Sequence, residues 1–581
     1  FGSRCRIPAQ KRKQKFNCRG QQAGLQEMAT PIQITNQIRP AQAAYPVKAS
    51  ELKLKPVADV YGMADQSVDG PATHEEIRGW YVYDWANSPY YQVYVSCLFP
   101  VFVKWLAEGY VGGSIEEDST EGVAETPENP KPANDPANEK MPGIGITAGS
   151  YPLAVSIVTI FLQTIFLLCF SAYGDYGNKR KKLLGIFTYG GAFVVFLNLF
   201  CFSYSMVWLA GLIRIFAGIA FVFAGVYYNA FLPMLANQHV DLAGVPRSER
   251  DEKVEELNDT MSNNGFISGY AGGLTMLFVS YFVLLLTACT RTEEEKKLGK
   301  HVTHACDAFE LLFPICACLA IVGVWWAAFG TYSLAKLKPR PGVPLPPNSG
   351  YTLGIKSTYE AFRLLLKYRN TLKFLGAFCL YSDAVNTVTS VAVLLLEDEN
   401  DASITALMLS TILGVIAVFI GVWLFLGIQK CFGMSAKGLI LTQLIIFSFV
   451  CIAILCGVVT AFDGMGLYIA LGPAMLALGS LQAYSRSVFS CLCPVGKESS
   501  FFSFYEITDK GSNLIGSTIA LIVRELTSSY IGTFWYLLFA FIVSAVLLFF
   551  VDVDQGMIDA GKNQPLQERE LVSELTDEEY E

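Results

Sequence analysis

Two short polar motifs interrupt long apolar stretches of this sequence. In each, an aspartate stands three residues before an asparagine and four before a hydroxyl residue: Asp84-x-x-Asn87-Ser88 and Asp383-x-x-Asn386-Thr387. These spacings place the three side chains on one face of a helix. A carboxylate at membrane depth costs roughly 2.5–3.5 kcal/mol on insertion scales, so it persists where it faces protein or water and usually serves a transport pathway. The repetition predicts a duplicated transporter in which Asp84 and Asp383 face one shared central cavity.

The composition places the chain in a lipid bilayer. Of 581 residues, 52% are hydrophobic and 16% are charged, and the mean hydropathy is +0.38, which is too apolar for a soluble protein of this length. An apolar run of about 20 residues can cross the hydrocarbon as a helix. Such runs lie near 77–106, 149–172, 183–204, 207–236, 262–288, 308–334, 372–396, 403–428, 438–462, 465–490, 502–524 and 529–551. We therefore expect an all-α integral membrane protein with about twelve transmembrane helices.

A proline-rich, basic stretch at 336–351 separates the sixth run from the seventh and predicts two pseudo-symmetric bundles of six helices. The predicted segments are a flexible cytosolic tail at 1–73, an N-terminal bundle at 74–335, a basic cytosolic linker at 336–371, a C-terminal bundle at 372–552 and an acidic cytosolic tail at 553–581. The residues before Met28 are interpreted either as a targeting segment or as upstream sequence.

Charge in the loops predicts the orientation. Lysine and arginine concentrate at 174–182 and 336–370, whereas aspartate and glutamate concentrate at 108–146 and 397–401. Because short cytoplasmic loops are enriched in Lys and Arg, the first two segments are expected in the cytosol and the acidic segments in a lumen or outside the cell.

The loop after the second run resembles a loop signature of the major facilitator superfamily. It carries an acid, a turn glycine and a basic cluster: Asp175, Gly177, Lys179, Arg180 and Lys181. These charges suit a tight turn that pairs with neighbouring helix ends and latches one conformation. The alternative is a plain positively charged cytosolic loop. In the second half Cys431 stands where Asp175 does, so a corresponding latch would lack its acid.

Several segments resemble, in the same order, the vacuole effluxer family of autophagy-related permeases. They are GWYVYDWANSPYY, GDYGNKRKKLL, YYNAFLPML, NGFISGYAGG, YSDAVNTV and the stretch at 479–517 that begins GSLQAYSRSVFSC. The resemblance implies a twelve-helix facilitator that exports small solutes, with vacuolar amino-acid efflux as the family's best-known assignment. It implies a vacuolar or other endomembrane location, with the plastid envelope and the plasma membrane as alternatives. Ala384 and Ser517 depart from the expected glycine and proline, which puts the substrate in doubt more than the fold.

A zwitterionic amino acid needs an acceptor for its ammonium, donors for its carboxylate and an apolar pocket for its side chain. Asp84 or Asp383 could bind the ammonium, and Arg486 or Arg214 the carboxylate. Further residues that could orient the substrate are Asn87, Asn229, Asn386, Gln482, Tyr228 and Tyr484, beside Ser88 and Thr387 of the two motifs.

The charged residues within the runs also have structural interpretations. Arg214 resembles part of a superfamily motif associated with proton-coupled exchange, and a structural ion pair or a guanidinium that reaches an interface explains it equally well. Arg486 lies near the cytoplasmic end of its run, so a gate or a loop anchor is the alternative to substrate binding. Glu506 and Lys510 form either a local pair at helical spacing or a coupling site.

No catalytic set is recognisable in the sequence. The four histidines lie in predicted loops or tails, His301-x-x-His304 is a weak metal pattern without further ligands, and no glycine-rich phosphate loop precedes a lysine. We therefore expect no metal, no cofactor other than protons for coupling, no nucleic-acid partner and a monomer. Two function classes remain open: a secondary transporter of small organic solutes, and a facilitator-like membrane subunit or receptor that has lost transport.

Overall fold

The protein is helical throughout the part that the structure describes. This computed structural model describes residues 70–119, 140–287, 308–340, 342, 344, 353–400, 404–458, 466–527 and 531–561. These ranges contain two isolated β-bridges and no strand, which confirms the all-α prediction. The predictions for 1–69, for most of the acidic loop at 120–139 and for 562–581 concern residues outside these ranges.

The α-helices of the described ranges are numbered here in chain order. They are α1 (His74–Pro89), α2 (Phe99–Ser119), α3 (Tyr151–Phe170), α4 (Arg180–Phe196), α5 (Val207–Asn229), α6 (Phe231–Asn237), α7 (Arg247–Thr287), α8 (Ala308–Lys336), α9 (Leu353–Lys367), α10 (Arg369–Asn400), α11 (Ile404–Phe432), α12 (Ala436–Leu455), α13 (Gly466–Leu492), α14 (Glu498–Thr527), α15 (Thr533–Phe549) and α16 (Val553–Asp559). A long helix lies at each of the twelve predicted apolar runs, and α1 and α2 together form the first.

Seven helical segments of the described residues are long and apolar enough to cross a membrane, or eight if the bent pair α15 and α16 is one span. The helices outside that set include α1, α10, α13 and α14, which carry the charged residues Asp84, Asp383, Arg486 and Glu506 in turn. A span that carries charged residues is stable where those residues face neighbouring helices, which can hydrogen-bond them, and not lipid.

The first span changes its winding in the middle. Thr73 caps α1, where its hydroxyl accepts a hydrogen bond from the backbone N–H of Glu76 at 3.4 Å. The nine residues Tyr90–Leu98 after Pro89 are π-helical, and α2 continues from them. Proline has no N–H to donate to the preceding turn, which accounts for the loosened winding at this point.

The helices pack in two groups, α1–α8 and α10–α16. In the first group α1 packs on α7 and α8, and in the second α10 packs on α14 and α15. Contacts between the groups run mainly through α7, which touches α11 and α13, and through α14, which touches α3 and α5. The exact segment boundaries proposed from the sequence stay a prediction.

The segment after α8 is bound to the start of α1. Arg340 is buried and donates to both carboxylate oxygens of Glu76, at 3.1 and 2.6 Å, and the backbone N–H of Lys338 donates to the same carboxylate at 3.2 Å. The backbone N–H of Gly342 donates to the carbonyl of Gly177 at 2.9 Å. We call the side of the molecule that holds residues 72–76, 174–180, 338–340, 342 and 493–500 the basic end.

Candidate functional site

A buried ion pair joins the two helix groups. Arg486 of α13 donates from Nη1 to Oδ2 of Asp84 in α1 at 3.2 Å, and the two residues are 402 positions apart. The hydroxyl of Tyr228, near the end of α5, donates to the same Oδ2 at 2.7 Å. Three residues that the sequence analysis singled out separately therefore meet at one carboxylate.

The guanidinium of Arg486 is held along its other edge by α7. Its Nε donates to the hydroxyl of Ser262 at 3.0 Å and its Nη2 donates to the Ser262 carbonyl at 2.8 Å. Its Nη1 also donates to the side-chain oxygen of Asn229 at 3.4 Å. Because arginine presents a rigid fork of donors, these bonds fix both the position and the plane of the guanidinium.

Aromatic rings line the ion pair. The guanidinium carbon lies 4.3 Å from the ring centre of Phe266, 5.1 Å from that of Trp80 and 5.8 Å from that of Tyr228. Tyr228 stacks between Trp80, at 4.7 Å between ring centres, and Tyr83, at 4.8 Å. The site therefore combines two opposite charges with a largely apolar wall, and cation–π contacts add to the binding of the arginine.

A glycine of α7 makes room for the pair. A Cβ at Gly265 would lie 2.6 Å from Oδ2 of Asp84 and 2.7 Å from Nη2 of Arg486. At Gly269 it would lie 2.5 Å from the hydroxyl of Ser88. Gly265 and Ser262 were missed by the sequence analysis, although the small residues of α7 recur at helical spacing and could have indicated this face.

Glu506 of α14 extends the site. Its Oε1 accepts a hydrogen bond from Nδ2 of Asn229 at 3.2 Å, so the Asn229 amide links Glu506 to Arg486. The sequence led us to expect a local ion pair between Glu506 and Lys510, but Lys510 forms its ion pair with Asp509 instead. Nζ of Lys510 binds Asp509 at 2.6 Å and lies 4.9 Å from the ring centre of Tyr91 in the first span.

Asp383 has different partners, all in the second helix group. Its Oδ1 accepts from the backbone N–H of Gly516 at 3.0 Å, and its Oδ2 accepts from the hydroxyl of Tyr536 at 2.6 Å. It shares no hydrogen-bond partner with Asp84. The two aspartates are therefore held by different partners: the repeated motif faces Arg486 in α1 but packs against α14 and α15 in α10. A central cavity shared by both carboxylates stays a prediction.

The rest of the two motifs lies on the same helix faces. Asn87 is buried, and the hydroxyl of Ser88 lies against Gly269. In α10 Thr387 is buried against Gly516, and Asn386 is half-buried. The spacing thus placed each stripe correctly, but only the stripe of α1 faces the ion pair.

The remaining predicted binding residues are not bonded to the ion pair. Arg214 donates to the hydroxyl of Tyr90 at 3.1 Å. Gln482 accepts from the hydroxyl of Tyr270 at 3.0 Å, a contact between α13 and α7.

The loop residue Asp175 binds the start of α14, and we call this group the Asp175 cluster. Asp175 accepts from the backbone N–H groups of Ser499 and Ser500 at 2.7 and 3.0 Å, and from the Ser500 hydroxyl at 2.6 Å. Arg180 bridges Asp175, at 3.5 Å, and Glu498, at 3.0 Å. All of these groups are buried, so the cluster ties the first helix group to the second at the basic end.

The other residues of the predicted latch form the turn itself. Gly177 has a positive φ of 53°, a conformation that glycine adopts without strain. Nζ of Lys179 lies 5.4 Å from the ring centre of Tyr173. Lys181 is half-buried in the first turn of α4.

A second polar cluster joins the two helix groups through α7, α11 and α13, and we call it the Asp259 cluster. Asp259 of α7 is buried and accepts from the Ser487 hydroxyl at 2.5 Å and from Nε2 of Gln429 at 2.6 Å. Gln429 in turn accepts from the Tyr484 hydroxyl at 2.9 Å. Cys431, which stands where the first half has its acid, is exposed. At the junction that involves the second-half helices α11 and α13, the acid is therefore Asp259 of α7. The loop after α11 supplies no acid there.

No group of three or more His, Cys, Asp or Glu side chains suited to a metal ion occurs among the residues that the structure describes. The buried charges of the ion-pair site are satisfied by one another and by neutral hydrogen-bond partners.

Comparisons with known proteins agree with this architecture. The model of the family described as "Vacuole effluxer Atg22 like" matches residues 72–561. Autophagy-related protein 22-1 of Phaeosphaeria nodorum is 27% identical over 537 residues, which cover 84% of this chain and 92% of the relative. Autophagy-related protein 22 of Pyricularia oryzae is 27% identical over 536 residues, with 85% and 78% covered.

Solved structures show the same fold. The crystal structure of the Major Facilitator Superfamily transporter FucP in the outward conformation aligns with a TM-score of 0.50 at 12% identity, and the alignment covers 79% of this chain and 99% of FucP. At that identity the likeness establishes the fold alone. Together the family match and the fold show that this chain belongs to the Atg22-like vacuole effluxer family and is a multi-pass membrane transporter of the major facilitator fold.

Proposed function

We propose that this protein moves amino acids out of a vacuole or lysosome-like compartment as a secondary transporter. The observation that carries the proposal is the Asp84–Arg486 pair, because a zwitterion offers the two charges that each partner already binds. A substrate ammonium can replace Arg486 at Asp84, and a substrate carboxylate can replace Asp84 at Arg486. The rings of Trp80, Tyr228 and Phe266 would cover an apolar side chain.

Exchange of partners offsets the cost of opening the pair. Separating Asp84 from Arg486 leaves each buried charge without its oppositely charged partner, which costs about 3–5 kcal/mol. A zwitterion supplies both missing partners at once, whereas a sugar or a simple amine supplies none or one. The site therefore favours solutes that carry both charges on adjacent positions.

Alternating access is the proposed mechanism. The Asp175 cluster and the Asp259 cluster both bind the first helix group to the second, so their rupture would open the basic end. From the excess of Lys and Arg we assign the basic end to the cytosol and the segment around 140 to the lumen. Because both clusters are intact, we interpret this structure as the state closed to the cytosol, with the clusters as its latches.

Proton coupling is part of the proposal, with Asp84 or Asp383 as the carrier. Both carboxyl groups belong to buried spans, where an ionisable group usually marks a proton or substrate pathway. Accumulation driven by a pH gradient would test it: Asp84→Asn or Asp383→Asn should abolish uphill uptake. A normal pH profile in both variants would remove both residues from coupling.

The second candidate function is a membrane subunit or receptor without transport. Cys431 in place of a second loop acid favours it, since one expected latch group is missing. The Asp259 cluster supplies an acid at the same junction and weakens that argument.

Flux in proteoliposomes distinguishes the two functions. The purified protein, which we expect to act as a monomer, is reconstituted and offered a mixed amino-acid pool, a sugar pool or a nucleoside pool, each against the same unlabelled pool inside. We expect counterflow of amino acids alone, and a lower but measurable rate of counterflow in Asp84→Asn. Glu256→Gln, which removes an exposed acid of α7, is the matched control. Flux of sugars or nucleosides would assign another substrate class, and no flux of any pool would support the receptor.

A further inference from the structure

Helix α9, which lies in the segment between the two bundles, has two different surfaces that no other helix of the described residues covers. Its buried residues form one stripe: Gly354, Ser357, Thr358, Ala361 and Leu365. Its exposed apolar residues form a second: Ile355, Tyr359, Phe362 and Leu366. Its exposed basic residues, Lys356, Arg363 and Lys367, form a third, which Glu360 borders. Because consecutive residues are about 100° apart around a helix, the stripes follow one another at intervals of roughly 100°.

The buried stripe fixes α9 beside the ends of the spans. Gly354 packs against the carbonyl of Cys169 near the end of α3. The Ser357 hydroxyl accepts from the Tyr176 hydroxyl at 3.1 Å and from Nζ of Lys497, just before α14, at 3.0 Å. The chain then passes directly into α10 at Arg369. Three spans therefore begin or end at the level of α9, which is the depth of a membrane–water boundary.

The apolar stripe continues the lipid-facing surface. Its four side chains are 46–56% exposed, which is unusual for large apolar groups on a surface that only water touches. Phe166 and Phe170 in the last turns of α3 are 40% and 44% exposed on the neighbouring span. A helix with this arrangement of apolar and basic faces lies in the plane of a membrane interface.

We propose that α9 is a binding site for anionic phospholipids, in which the apolar stripe enters the acyl boundary and Lys356, Arg363 and Lys367 bind the headgroup phosphates. The charges are complementary, since three cations face one acid, and the guanidinium of Arg363 is supported by the ring of Tyr359 at 5.1 Å. Basic residues at a cytosolic membrane surface attract anionic lipids in this manner. Through Ser357 the lipid-bound helix contacts both Tyr176 beside the Asp175 cluster and Lys497.

Photo-crosslinking in lipid nanodiscs tests the site. The full chain is placed in nanodiscs doped with either photoactivatable phosphatidylserine or photoactivatable phosphatidylcholine, and crosslinked peptides are quantified. We expect peptides from 353–367 to carry at least about threefold more phosphatidylserine than phosphatidylcholine. The triple variant K356Q/R363Q/K367Q should lose this preference and keep labelling by both lipids.

Two further variants keep the result decisive. K253Q/K338Q/K430Q removes three other cations, which lie in α7, in the segment after α8 and in α11, and should keep the preference. I355N/L366N removes apolar side chains and should lower labelling of α9 by both lipids. Equal labelling by the two lipids in the unmodified chain, a preference that survives in K356Q/R363Q/K367Q, or α9 that neither lipid labels would each overturn the proposal.

Discussion

Arg486 binds Asp84 with a single guanidinium nitrogen at 3.2 Å while its opposite edge holds Ser262 through two bonds. The arginine belongs to one helix group, and Asp84 and Ser262 both belong to the other. The pair is therefore a joint between the groups as well as a charged site. Whatever separates α13 from α1 and α7 must break these bonds, so occupancy of the site and movement of the groups are linked.

Gly265 should be required for this joint. Gly265→Ala places a methyl group 2.6 Å from Oδ2 of Asp84 and 2.7 Å from Nη2 of Arg486. Overpacking of this kind costs about 1–3 kcal/mol, and here it would push the charges apart. We expect amino-acid counterflow in proteoliposomes to fall at least about tenfold, which is what 1.4 kcal/mol corresponds to.

Gly190→Ala is the control for this substitution. A Cβ at Gly190 has nothing within 4 Å, whereas one at the adjacent Gly191 would meet the ring of Trp326 at 2.7 Å. Gly190→Ala should therefore leave counterflow unchanged. Equal rates for Gly265→Ala and the unmodified protein would show that the close approach at the ion pair is not needed.

The two polar clusters should hold the basic end closed. Asp175→Asn and Asp259→Asn each remove a buried charge that accepts several hydrogen bonds, and bonds to charged groups contribute about 1.5–3 kcal/mol each. We expect the open population to rise roughly tenfold or more. The thiol of Cys491, buried between α7 and α13, is a natural reporter, so its alkylation by a soluble maleimide should accelerate correspondingly.

Glu256→Gln serves as the matched control, because Glu256 is an exposed acid on the same helix as Asp259. Within the part of the chain that the structure describes, its ion pair is with Lys253. Its Cys491 alkylation rate should equal that of the unmodified protein. An unchanged rate in both Asp175→Asn and Asp259→Asn would mean that neither cluster is a latch.

The Glu76–Arg340 pair should stabilise the fold. Both side chains are almost fully buried, and their closest atoms are 2.6 Å apart. Glu76→Gln or Arg340→Met alone leaves a buried charge unpaired, which costs about 3–5 kcal/mol, so the melting temperature in detergent should fall clearly. The double variant E76L/R340M leaves no unpaired charge and should recover part of the loss. A double variant as unstable as the sum of the single variants would show that the two residues act independently.

Much of the fold follows from the sequence, because the length of an apolar run and the charge of a loop can both be read from one continuous segment. Twelve runs predicted twelve long helices, and the stripe of Asp84, Asn87 and Ser88 is placed by helical spacing alone. The turn at Gly177 and the contact of Asp175 with a neighbouring helix end were also indicated by local pattern.

The partners of the charged residues could not be predicted in the same way. The sequence left Arg214 and Arg486 as equal candidates, and only the packing of α13 against α1 and α7 selects Arg486 for Asp84. The motif of α10 is nearly identical to that of α1, but Tyr536 and Gly516 come from distant segments and satisfy Asp383 within its own group. Asp259 escaped notice because its partners, Gln429 and Ser487, are neutral and about 170 and 228 residues away.

Competition by substrate analogues tests the central claim most directly. In proteoliposomes, an amino acid is compared with its 2-hydroxy acid, which lacks the ammonium, and with its amine, which lacks the carboxylate. If Asp84 binds the ammonium and Arg486 the carboxylate, the unmodified protein should bind the amino acid at least about tenfold more tightly than either analogue. Asp84→Asn should lose mainly the discrimination against the hydroxy acid, and Arg486→Gln that against the amine. Equal inhibition by all three compounds in the unmodified protein would contradict the account.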